Sequence, residues 1–297
     1  MIPLIFALAT LVGGSNSALV KFTVSQFPPI IFVALRALIA FIIISPFVLK
    51  TTHQSLEKKV LLLLVVNLVF AANWLIFAIG IQHTSVIISQ LIYVPTSLTV
   101  AIIGFLMFKD RLTKNQIWGL ALTLSGALIL TLGSVRDQGI TFGTPFGNFM
   151  VTAGMFCWAF YLILSGKISK IYSPLTIIFY NFVVSFILGS ALFLLDPNSR
   201  NFTFGDIDQT GFLGLAYVGI FSSAIYFYLN QWLIKHTSAF VSSLQIYPVT
   251  LIASALGVIF YDERLTTNLI IAAMMIMLGV FIATSYNFLR NKLNLWT

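Results

Sequence analysis

Charge is what this sequence has least of. Charged residues make up 8% of the 297 positions, and only eight of them are acidic. A soluble domain carries about 25% charged residues. With 59% hydrophobic residues and a mean hydropathy of +1.01, the chain cannot cover itself with polar surface. It is expected to be an integral membrane protein. The net charge of +8 sits in short loops between apolar runs, so it reports membrane topology rather than nucleic-acid binding. The single cysteine, Cys157, excludes an intrachain disulfide and a cysteine metal cluster. No Asp or Glu falls mid-run, which argues against a carboxylate proton relay. No basic segment precedes the apolar stretch from Ile2 to Val12, and no Ala-x-Ala site follows it. A retained first helix is expected there, not a cleaved signal.

What is present is long apolar runs. Spanning a bilayer takes about 20 apolar residues. Ten runs qualify: 2–22, 29–49, 60–81, 86–108, 115–133, 147–167, 175–195, 211–233, 238–260 and 268–289. The fold class expected is an all-α membrane protein of ten helices. The longest connections are Ser134–Pro145 and Asp196–Gln209, too short for a soluble domain.

The chain also repeats itself. Shifted by 153 residues, Ile81–Thr131 lies on Ile234–Thr284 without a gap, and seventeen of 51 positions are identical. The pairs include His83/His236, Pro95/Pro248, Gly104/Gly257 and Gly126/Gly279, and Arg111-Leu112-Thr113 recurs as Arg264-Leu265-Thr266. Shared hydrophobicity does not align Pro, Gly, His and Arg in one register, so an internal duplication is expected. The two copies are placed at 1–137 and 138–297.

Counting Lys and Arg gives the orientation. Both termini and the loops after runs 2, 4, 6 and 8 hold eleven basic residues; the opposite loops hold four. The basic side is expected to be cytoplasmic, with both termini inside. Five runs per copy is an odd number, so the second copy must be inverted. Inverted repeats recur in secondary transporters, with the solute site near the midplane between the halves.

At this point the chain resembles the EamA-type transporters of the drug/metabolite superfamily. The residues that carry the likeness are Gly13-Gly14-Ser15-Asn16, Pro29 with Arg36, His83-Thr84-Ser85 with Pro95, and Lys109-Asp110-Arg111-Leu112-Thr113. The second half repeats them with Trp158-Ala159-Phe160-Tyr161, His236-Thr237-Ser238, Pro248 and Asp262-Glu263-Arg264-Leu265-Thr266. The resemblance implies ten helices and a cavity lined by runs 1, 3, 4, 6, 8 and 9. One departure is visible: aligned on Pro29 and Pro174, Arg36 meets Asn181.

Candidate site residues come from those runs. Pro95 and Pro248 remove a backbone hydrogen bond mid-span and are read as hinges, with a static kink as the plainer role. Ser89, Gln90, Tyr93, Ser97, Ser242, Ser243, Gln245 and Tyr247 surround them. Polar groups facing lipid are costly, so most should face the bundle, either toward solute or in interhelical hydrogen bonds worth roughly 0.6 kcal/mol each. Trp74 and Trp158 lie deep in their runs, whereas membrane tryptophans usually sit at the interface, as Trp118, Trp232 and Trp296 would. Asn16, Asn73, Tyr161, Tyr226 and Asn230 are further deep polar groups. An aromatic cavity with amide donors suits a small amphipathic metabolite such as an amino acid.

Arg36 is the one charge clearly inside a span, about 10 Å past Pro29 at 1.5 Å per residue. Three roles are open: a solute carboxylate or phosphate, a pair with Asp262-Glu263, or snorkelling to the outer headgroups. His83 and His236, at turns, are expected to be interfacial residues without a coupling role, though coupling, if present, would fall to them. Gly119, Gly126, Gly133, Ala272 and Gly279 form small-residue stripes that let helices approach closely. Thr113 and Gln116 make a capping box.

The function expected is therefore a secondary transporter of a small organic solute. Export of an amino acid or related metabolite across the cytoplasmic membrane is the leading case, and import or exchange of a nucleotide-derived solute is the alternative. A channel would be distinguished by its far higher rate. An intramembrane enzyme would need a nucleophile with a base, paired carboxylates or a metal set, and no run holds one. No cofactor, metal or nucleic acid is expected. One chain holds both halves, so a monomer should suffice.

Overall fold

The structure is a computed structural model that describes residues 1–49, 59–108, 143–196 and 202–264, with 114, 117–119, 121–122, 125–126, 129, 267, 270–279 and 282. The described residues are helical, with no strand among them. Eight helices are long and apolar enough to cross a membrane: α1 (Ile2–Val24), α2 (Pro29–Val48), α3 (Val60–Gln82), α4 (Val86–Gly104), α5 (Pro145–Ile168), α6 (Pro174–Leu195), α7 (Gln209–His236) and α8 (Ala239–Tyr261). A shorter apolar helix, α9, covers Ile270–Gly279. These match nine of the expected runs. The rest of runs 115–133 and 268–289, Gly133 and the Thr113–Gln116 box lie outside the described residues.

The helix starts follow from sequence. Ser85, Thr144, Ser173, Asp208 and Ser238 each accept a backbone N–H of the first turn of the following helix. That satisfies a donor which a helix start would otherwise leave bare. Pro145 and Pro174 follow two of these caps, where a missing N–H costs nothing. Large apolar side chains such as Leu11, Leu61, Leu194 and Ile259 are 63–81% exposed. Such a surface would aggregate in water and suits hydrocarbon.

Four spans are not regular. Helix α1 pauses at Ser15, whose hydroxyl donates to Val12 O. Helix α4 breaks at Val94–Pro95 and α8 at Leu244–Gln245. The α8 break falls four residues before Pro248, where the proline ring clashes with the carbonyl of residue i−4. Helix α7 carries a stretch of wide turns, Val218–Ile225, in which Ser223 Oγ donates to Val218 O, five residues back. Wide turns of this kind concentrate at functional sites.

Close approach positions the core. A Cβ on Gly13 would fall 2.7 Å from the Tyr226 ring, and one on Gly14 would fall 2.6 Å from Ile252. Glycines thus bring α1 against α7 and α8. One on Gly126 would meet Ile276 at 2.8 Å and Ala272 O at 2.9 Å. At Gly126 the fifth run therefore lies directly against the tenth, beside Ala272.

Candidate functional site

Helices α3, α5, α6 and α7 bring together a buried aromatic cluster. Phe70 and Trp74 are one turn apart on α3, with ring centroids 4.7 Å apart. Phe70 also meets Tyr161 at 5.0 Å and Phe227 at 4.9 Å. Trp74 meets Phe182 at 5.8 Å and Phe227 at 5.3 Å. Trp158 stacks on Tyr161 at 5.1 Å and touches Phe227 edge-on at 5.8 Å. Phe227 thus joins the two deep tryptophans, and Tyr226 lies 4.9 Å from it.

Arg36 reaches this cluster from α2. Its guanidinium carbon lies 3.8 Å from the Trp74 ring centroid. Its Nε donates to Ser223 Oγ at 3.1 Å, and Nη2 donates to Asn16 Oδ1 at 3.5 Å. The α1 pause and the α7 wide turns supply those two acceptors. The residue is only 2% exposed, so it does not snorkel. No carboxylate pairs with it among the described residues. Glu263, one of the partners left open by the sequence, is bound elsewhere: its carboxylate accepts Val86 N and Ile87 N and lies 3.6 Å from Lys21 Nζ. Asp262, just past the end of α8, has a left-handed backbone (φ 50°), and the next residue, Glu263, sits on the first turn of α4.

A second polar group hangs on Tyr161. Its hydroxyl accepts from Asn181 Nδ2 at 2.8 Å and donates to Gln231 Oε1 at 3.3 Å, which Ser165 also reaches at 2.7 Å. Asn181, the counterpart of Arg36 in the second half, therefore serves a tyrosine. Nearby on α7, Asn230 donates to Ser242 at 2.9 Å. Several buried amide atoms have no partner among the described residues: Asn181 Oδ1, Asn230 Oδ1, Gln231 Nε2, Gln90 Oε1 and both polar atoms of Gln245. Burying an amide without a partner costs about 1–3 kcal/mol, so a set of them marks surface built for something other than packing.

Other residues named from sequence are occupied structurally. Both donors of Asn73 are used, on Tyr93 OH at 2.9 Å and Gly154 O at 2.7 Å. Ser89 turns back onto Val86 O at 2.7 Å. Ser97 pairs with the Tyr247 hydroxyl at 2.7 Å, and Ser243 turns back onto Phe240 O at 2.6 Å. His83 and His236 are exposed, the first against Phe146 and the second stacked on Trp232. Phe70, Phe182, Phe227, Ser223 and Gln231 were not singled out by sequence. With 28 phenylalanines, only the four-residue spacing of Phe70 to Trp74 could have flagged one of them.

Comparisons with known proteins agree on a family and a fold. The profile of the EamA-like transporter family matches residues 1–132 and 145–285. An uncharacterized transporter of Bacillus subtilis, YyaM, is 27% identical over 91% of this chain and 89% of its own length. A probable amino-acid metabolite efflux pump of Escherichia coli is 28% identical over 93% of this chain and 92% of its own. The Escherichia coli inner membrane transporter YedA is 24% identical over 96% and 91%. One solved crystal structure superposes with a TM-score of 0.68, covering 96% of both chains at 17% identity. That likeness concerns the fold alone.

Proposed function

The chain belongs to the EamA-like transporter family and is a multi-pass membrane protein, and on that premise we propose that it exports an amino acid or a related metabolite across the cytoplasmic membrane. It works by alternating access beside the aromatic cluster, between two five-helix halves of inverted orientation. Both termini lie in the cytoplasm, and one chain forms the whole pathway.

The observation that carries this is Arg36. A buried guanidinium without a carboxylate among the described residues, laid on Trp74, is costly in a span unless something pairs with it. A solute carboxylate supplies that pair, and Arg binds carboxylates through two parallel N–H donors. The face of Trp158 and the ring of Phe227 offer an apolar wall for the solute's side chain. Gln231, bonded to Tyr161 of the cluster and with its Nε2 unpartnered among the described residues, offers an amide for its polar end, and the breaks beside Pro95 and Pro248 are where α4 and α8 bend.

Flux in proteoliposomes tests this. Labelled amino acids and nucleotides would be offered with and without a pH gradient. Gradient-driven accumulation of an amino acid is expected. Movement of nucleotides alone would replace the substrate class, and a rate of thousands of solutes per second or more would indicate a channel.

A further inference from the structure

Glu263 is 4% exposed, at the end of α8, and is among the few buried charges of the described residues. Its two oxygens accept the first two backbone N–H groups of α4, Val86 at 2.5 Å and Ile87 at 2.8 Å. Lys21 at the end of α1 completes the cluster, 3.6 Å from Glu263 and donating to Thr84 O at 2.6 Å. Tyr261 OH donates to Ala18 O at 2.7 Å. Three spans, α1, α4 and α8, are thus drawn together at one end. Gly257 makes room: a Cβ there would fall 2.8 Å from Glu263 Oε2 and 3.2 Å from Ile87.

The sequence repeat supplies the contrast. The counterparts of Val86, Ile87 and Ile88 are Ala239, Phe240 and Val241. The first three are 0–3% exposed; the second three are all half-exposed. The counterpart of Gly257 is Gly104, and nothing among the described residues would come within 4 Å of a Cβ there. Each helix keeps its own serine cap, Ser85 to Ile88 N and Ser238 to Val241 N, both at 3.1 Å. Asp110, the repeat counterpart of Glu263, lies outside the described residues. By burial, the motif is closed around the start of α4 and only half-buried around the start of α8.

We propose that Glu263 is a latch that shuts one end of the transport pathway by capping α4, and that its release exchanges the closed end for the open one. The latch rests on the transport reading, but it can be tested without any solute. Ser85 keeps α4 wound after release, so opening frees two N–H groups to water without unravelling the helix. Lys21 holds the carboxylate in place without reaching those donors itself.

The experiment is cysteine labelling of the full chain in lipid nanodiscs, where a soluble maleimide reaches both faces. With Cys157 replaced by Ser, single cysteines are placed at Ile88 and at Val241. With the latch intact, Val241→Cys labels and Ile88→Cys does not. Adding Glu263→Ala is expected to speed labelling at Ile88→Cys about tenfold or more, and to slow it at Val241→Cys, because one population gains what the other loses. Faster labelling at position 88 with no change at 241 would mean local fraying, and the latch would be wrong. Unchanged labelling at both would also overturn it. Should Glu263→Ala fail to fold, Gly257→Ala displaces the carboxylate while keeping it, and the same reciprocal shift is required.

Discussion

Replacing Arg36 by Gln separates anchoring from packing. Two effects on stability oppose each other. The variant loses the bonds to Ser223 and Asn16, each worth about 1.5–3 kcal/mol for a charged donor. It also loses the stack on Trp74 at 3.8 Å, worth about 2 kcal/mol when desolvated. Against this, it no longer buries a charge, which costs several kcal/mol per ion. The fold should change little in stability, and the melting temperature should fall by only a few degrees. Solute affinity has no such compensation. A paired carboxylate on a buried guanidinium contributes about 3 kcal/mol, and every 1.4 kcal/mol is tenfold in affinity. Arg36→Gln should therefore weaken an amino acid about 100-fold while leaving its decarboxylated amine unchanged or tighter. The assay is competition against a transported label in proteoliposomes, read beside thermal unfolding. Equal weakening of acid and amine, or unchanged affinity for the acid, would refute the anchor.

Gly14→Ala puts a Cβ 2.6 Å from Ile252; it should cost about 1–3 kcal/mol from overpacking, seen as a lower melting temperature in detergent. Asn73→Leu strands the Tyr93 hydroxyl and Gly154 carbonyl; a loss of about 2–4 kcal/mol in stability is expected, with the ratio of affinities among solutes unchanged in competition assays. Asp208 caps α7, and the Thr210 hydroxyl and Gly211 N–H hold its carboxyl below the usual 3.8. Its contribution should be complete above that value and be lost as pH falls below it. Melting curves between about pH 3 and 6 should show acid sensitivity that Asp208→Ala removes, and an unchanged pH profile would refute the cap.

Much of this was legible without coordinates. Apolar runs give spans because a bilayer leaves no other way to satisfy backbone groups. Caps such as Ser85 and Asp208 act within four residues, so sequence places them. The breaks beside Pro95 and Pro248 follow from one missing N–H. The deep Trp74 and Trp158 stood out because tryptophan is unusual at that depth, and the structure packs both against Phe227.

What the sequence could not say is which helices meet. Among Ser89, Asn73 and Gln245, sequence sees three equal polar residues. Tertiary packing uses the first on its own helix and the second on Tyr93 and Gly154, and leaves the third without a partner. Arg36 and Glu263 were natural partners by charge alone. Tertiary packing puts Glu263 on the start of α4 and Arg36 on Trp74. Sequence by itself placed the eight long spans and the breaks beside Pro95 and Pro248, because each depends on neighbours along the chain. Only the tertiary structure decided which buried polar groups are satisfied, because that depends on helices distant in sequence.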